Sequence, residues 1–91
     1  MRTVYKYPVK VDDHFELELP RGAEILTVET QGEAVQLWAL VDPAESTEPR
    51  QFRLAGTGHP IEDPNLKYVS SFQLYGGSLV FHVFEVIQSA A

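Results

Sequence analysis

Cysteine is absent from this chain, so no disulfide framework and no thiolate metal site can form. A reducing cytoplasm is the matching expectation. No apolar run approaches the ~20 residues that span a bilayer as a helix, so no membrane partner is expected. The start, "MRTVYKYPVKV", puts a proline and charges where a leader would carry an apolar core, and no secretory signal is expected. Basic residues are scarce, seven against thirteen acids, for a formal charge of −6. That balance excludes a nucleic-acid polymer, whose affinity rests on neutralising many phosphates. It leaves room for a small anion, which needs only two or three local donors. Helical i, i+3, i+4 patterning, internal repeats, low-complexity tracts and domain-dividing linkers are also missing.

What remains is a folded composition, 44% apolar and 11% aromatic, over 91 residues. One domain, residues 1–91, is expected, with a core thin enough that association into a homo-oligomer would help it. Most of the chain alternates at period two, the signature of half-buried strands. In "TVYKYPVKV" Tyr5, Tyr7, Val9 and Val11 share a face, and Pro8 places the strand on a sheet edge. "HFELELP" sets Phe15, Leu17 and Leu19 against Glu16 and Glu18. "AEILTVET" and "EAVQLWALVD" flank Gln31-Gly32 and read as a hairpin, with Val35, Leu37, Ala39 and Val41 on one face and Gln36, Trp38 and Leu40 on the other. "DPAESTEP" reads as a polar loop with room for one helical turn, and "RQFRLAG" as a short strand with Arg53 facing away from Phe52 and Leu54. "KYVSSFQLY" and "SLVFHVFEVI" enclose Gly76-Gly77, the strongest hairpin signal. The last of these is apolar on both faces and is expected at the centre of a sandwich, or in a barrel wall covered by another subunit. The pattern predicts an all-β fold, a small antiparallel sandwich or barrel of about seven strands with at most a helical turn.

Several segments, "YKYPV", "LPRGAEILTV", "LWALVDP", "GTGHPIEDP" and "GGSLVFHVFE", resemble in order and spacing a family of small proteins of unknown function encoded mainly by bacteriophages and prophages. The resemblance covers nearly the whole chain. It implies a small all-β protein in the cytoplasm of an infected bacterial host, and it carries no established catalytic residues. Phage proteins of this size include sponges that bind nucleotide-derived alarm signals of bacterial defence systems; the link is one of size and origin.

Chemistry is concentrated in "RLAGTGHPIEDPN", Arg53–Asn65. Gly56 and Gly58 flank Thr57, and backbone N–H groups in glycine-permitted conformations can converge on an anion. Thr57 and His59 could add a hydroxyl and an imidazole, with Pro60 and Pro64 stiffening the loop. Ordinary turn chemistry explains the same composition. His82 sits mid-strand between apolar neighbours, as a satisfied core histidine or as a pocket floor. Trp38 could stack on a base or serve an interface, and Arg53 could clamp a phosphate or carboxylate or lie solvated. The expected ligand site is thus Trp38, Arg53, Gly56, Thr57, Gly58, His59 and His82, lining one cavity for a small anionic, nucleotide-like ligand. His14, His59 and His82 lack ligand spacing, so no metal and no cofactor is expected. No nucleophile elbow surrounds Ser70 or Ser71, so no catalytic residue is assigned and the chain is expected not to be an enzyme, a phosphodiester-cleaving activity being the remaining catalytic option. The alternative function is a protein–protein interaction or virion- or host-modulating role with no small ligand.

Overall fold

Alternating side chains sort into an inside and an outside only if a second layer covers the inside, and two antiparallel sheets provide that cover. The structure, a computed structural model, describes residues 1–87. Its strands are β1 (Thr3–Pro8), β2 (His14–Pro20), β3 (Glu24–Gln31), β4 (Ala34–Val41), β5 (Thr47–Gly56), β6 (Leu66–Leu74) and β7 (Leu79–Val86). They form a three-stranded sheet in the order β1-β4-β3 and a four-stranded sheet in the order β2-β5-β7-β6. The expected all-β sandwich is what forms, and the sheets do not close into a barrel.

Much of the interior is drawn from the alternating positions read from the sequence, although Tyr5, Val11, Leu79 and Ile87 of those rows stay exposed. On β4, Leu37, Ala39 and Val41 are fully buried and Val35 nearly so. From the facing sheet come Phe15, Leu19, Phe52, Leu54, Phe72 and Val83. Phe15 and Phe52, opposite each other on β2 and β5, stack with ring centroids 4.9 Å apart. Burying an aliphatic or phenyl side chain of this kind contributes about 1.5–3 kcal/mol, so this layer carries most of the fold's stability.

The two sheets join along one side, where β3 runs beside β6. Both strands bulge there, β3 between Ile25 and Thr27 and β6 between Tyr68 and Ser70. A bulge disrupts the ladder locally and bends the strand. Ser70 repairs the join: its Oγ accepts from the Val28 N–H at 2.8 Å and donates to the Val28 carbonyl at 2.8 Å. At one end of the sandwich Arg50 reaches across with a two-pronged contact to Glu85 and a third bond, 2.9 Å, to the Ala23 carbonyl. The Glu85 hydrogen bond is the main reason that the Arg50 guanidinium holds its proton more tightly than usual, outweighing partial desolvation.

Three local expectations change. The β3–β4 turn falls on Gly32-Glu33, one residue later than read, with Gly32 supplying φ +62°. Strand β5 starts at Thr47 and absorbs the last three residues, Thr47–Pro49, of the expected polar loop. Pro49 is tolerated inside it because β7 pairs only with Phe52–Gly56, so that half of β5 has a free side on which a missing donor costs nothing. The helical turn lies at Tyr75–Gly77, between β6 and β7, rather than in "DPAESTEP". Strand β7 is central, one of the two placements expected for it, and the β5–β6 connection partly covers its outer face. Among the described residues no helix is long and apolar enough to cross a membrane.

Replacing Ser70 by alanine leaves the buried Val28 N–H and C=O without their partner. A loss of about 1–3 kcal/mol in urea-unfolding free energy is expected, whereas Ser71→Ala, on the more exposed outer face, should cost less.

Candidate functional site

Five residues of the glycine-loop region gather on the outer face of the four-stranded sheet, and the organising group is Arg53. Its side chain leaves β5 away from the core, yet the residue is only 8% exposed because the chain from Thr57 to Asn65 folds over it. Every nitrogen of the guanidinium has a partner. Nε donates to Asp63 Oδ1 at 3.0 Å, Nη1 to the carbonyls of Leu54 at 2.6 Å and Asp13 at 3.1 Å, and Nη2 to the carbonyl of Pro60 at 3.2 Å. The other Asp63 oxygen lies 2.7 Å from His14 Nε2 on β2. The His14 hydrogen bond is the largest influence on the Asp63 carboxyl, with Arg53 adding to it; against the opposing effect of desolvation they hold it below its usual value. Arg53, expected as an anion clamp, therefore holds its own loop and the β1–β2 connection.

The glycines act as turn and packing residues. The His59 ring lies over Gly56, where an added Cβ would meet it at 3.0 Å. Gly58, at φ +86°, makes the reversal between them. The Thr57 N–H donates to the Val80 carbonyl at 3.2 Å and the His59 N–H to the Gly56 carbonyl at 3.0 Å. One donor is spent on β7 and the other within the loop, so the converging set of free N–H groups expected around an anion does not form at Thr57 and His59.

His82 is satisfied on both sides by the scaffold. Its Nδ1 is 2.7 Å from Ser71 Oγ and its Nε2 2.8 Å from Thr57 Oγ1, and the Ser71 hydroxyl continues to Tyr68 Oη at 2.8 Å. The result is a hydrogen-bonded chain that staples the loop to β6 and β7, with no ring nitrogen left over for a ligand. Trp38 is elsewhere. It sits opposite Lys6 and Thr27 on the outer face of the three-stranded sheet, across the sandwich from the loop. The indole and the glycine loop do not share a cavity. Among the described residues no group of three or more His, Asp or Glu gathers where it could hold a metal ion.

A hollow opens at one end of the sandwich, where none of the expected site residues lies. A cleft of about 950 Å³ opens between the end of β1, the β3–β4 turn and the β6–β7 turn. Val9, Val35, Leu74 and Phe81 line it together with the exposed Val11, Tyr75 and Leu79, and among the described residues Glu33 is the one charged residue of the lining. Tyr75 is 80% exposed and holds φ +53°, a left-handed conformation that a bulky residue rarely adopts. Such strain clusters at working sites. The signal in the sequence was an aromatic residue set directly before Gly76-Gly77, together with Val11 and Leu79 continuing apolar patterns to the strand ends. Read as hairpin chemistry alone, it did not point to a cleft. A second hollow, about 370 Å³, lies beside Arg50 and Glu85.

Two outcomes test the loop clamp. Arg53→Ala leaves a carboxylate and three carbonyls without their donor, and a loss of about 2–4 kcal/mol is expected in chemical denaturation. Because the folded Asp63 carboxyl is held below its unfolded value of ~3.9, its contribution is complete above that pH and disappears as pH falls through the folded value. Asp63→Asn should therefore be less stable than the parent at pH 7, with the difference shrinking below pH 4; a constant difference down to pH 2.5 would show the pairing to be unimportant.

No curated protein and no solved structure matches the chain significantly. A family model does, over residues 1–91, and by that match the chain belongs to a domain family of unknown function, DUF7352.

Proposed function

We propose that this protein is a non-catalytic binding module whose ligand site is the end cleft. The carrying observation is the cleft itself: its volume is at the upper end of those that hold small molecules, and its lining sets Val9, Val35, Leu74 and Phe81 beside the polar Thr30, Glu33 and Gln73. The lining favours a compact, largely apolar ring system, with Tyr75 as a stacking surface. Glu33 favours a neutral or cationic substituent over an anionic one. A nucleotide-derived anion, the ligand expected from the sequence, draws less support. No Lys, Arg or His lines the cleft, and the cation nearest the glycine loop, Arg53, is committed to Asp63 and three carbonyls. Binding without turnover fits the polar groups around the cleft, which include no nucleophile beside a base. Withholding a small molecule, the role suggested by the phage resemblance, needs no more than this.

The test is an amide NMR titration with two probe sets, neutral and cationic aromatic fragments in one and cyclic dinucleotides and ADP-ribose in the other. Expected are shifts at Val35, Gly76 and Gly77 with the first set, weakened at least tenfold by Leu79→Glu on the exposed rim. Shifts centred on Thr57–His59 with the second set would restore the anion reading, and a folded protein silent to both sets would remove the small-ligand function.

A further inference from the structure

Among the described residues the two sheets run strand beside strand on one side, β3 with β6. Ser70 ties β3 to β6, so the opposite side ends in two unpaired strands, β1 and β2. Exposed strand edges invite pairing with another chain. Here the two edges carry opposite charge. Three of the seven basic residues, Arg2, Lys6 and Lys10, fall in the first ten positions, where there is no acid. The β2 edge carries Glu16 and Glu18, both exposed. Pairing partners place Lys6, Glu16 and Glu18 on outer faces: Lys6 stands opposite Trp38, Glu16 opposite Gln51 and Glu18 opposite Pro49. The inner face of β1 presents Tyr5, 46% exposed although it points toward the core side, and Tyr7; that of β2 presents Leu17 and Phe15.

We propose that a second copy of this chain occupies this side, β1 of each protomer pairing antiparallel with β2 of the other about a two-fold axis parallel to the strands. Direction, charge and shape support the same arrangement. Only five residues, 9–13, carry the chain from the end of β1 to the start of β2, so the two strands run in opposite senses, and this axis preserves those senses between protomers. Side chains alternate strictly, so a register that sets Lys6 opposite Glu16 also sets Tyr5 opposite Leu17, giving ion pairs outside and apolar contact inside. The sheets have three and four strands and share the β3–β6 side, so the open side is stepped by about one strand spacing, ~4.8 Å. Pairing like edges, β1 with β1 and β2 with β2, cannot close both layers across a step. Exchanging the layers closes both at once, because the step of one protomer fills that of the other. Pro8 and Pro20, which lack the N–H a ladder needs, bound the paired segments.

Sedimentation velocity of the full chain is expected to show a species of twice the 10.2 kDa chain mass at about 100 μM, weakened by added salt. Lys6→Glu alone and the pair Glu16→Lys/Glu18→Lys alone should each raise the dimer dissociation constant at least tenfold. Their circular dichroism should be unchanged, since all three side chains are exposed. Mixing the two variants should restore a heterodimer, because each junction then joins opposite charges again. A wild-type monomer at that concentration overturns the proposal, as do a dimer indifferent to both variants and growth past the dimer into open chains.

Discussion

Burial of one shared interior between two sheets of unequal width is the constraint from which the other features follow. Each strand commits alternate residues to that interior, so the faces of Trp38, Arg53 and His82 are decided before any ligand is considered. Three strands facing four cannot match at both sides. The β3–β6 side is closed by the two bonds between Ser70 and Val28, at a place where bulges leave both strands without a regular ladder. The mismatch is thereby moved to the other side, where β1 and β2 end unpaired.

Polar groups outside the core follow a second rule, that a buried donor or acceptor must be paired. Among the described residues no buried side-chain nitrogen or oxygen lacks a partner. Arg53 shows how strongly this rule acts. A guanidinium covered by a loop needs a counter-ion and carbonyls, and Asp63, Asp13, Leu54 and Pro60 provide them, so the loop that buries the charge is also the one that satisfies it. The same holds for His82 between Thr57 and Ser71. Polar residues that look available in a linear reading are spent on holding a long connection against the sheet. Exposed apolar side chains remain at the cleft, among them Val11, Tyr75 and Leu79, and on β1, among them Val4 and Tyr5.

Strand positions were legible because alternation is local. The buried row Val35, Leu37, Ala39 and Val41 and the stacked pair Phe15 and Phe52 needed only the rule that neighbours face opposite ways. The register of Gly32-Glu33 and the length of β5 were less so. A turn can slip by one residue without changing the composition around it, and Pro49 is forbidden or allowed according to whether its free side has a neighbour. The candidate site was legible in part. Residues within a dozen positions of Arg53 do gather, and His82 joins them through Thr57. Asp63, His14 and Asp13, which decide what Arg53 does, could not be chosen from among thirteen acids and three histidines without knowing that the loop doubles back. Trp38 was assigned to its correct face, but a face does not say which side of the molecule it is on.

By itself the sequence determined the fold class, most side chains of the core and the burial of β7 on both faces, since each depends on the apolar pattern of a few consecutive residues. Tertiary structure alone decided that the glycine loop is clamped shut, that the indole lies across the sandwich, that the cleft opens beside Tyr75, and that two oppositely charged edges share one side. Those properties depend on contacts between residues distant in the chain, and no local pattern encodes which distant groups will meet.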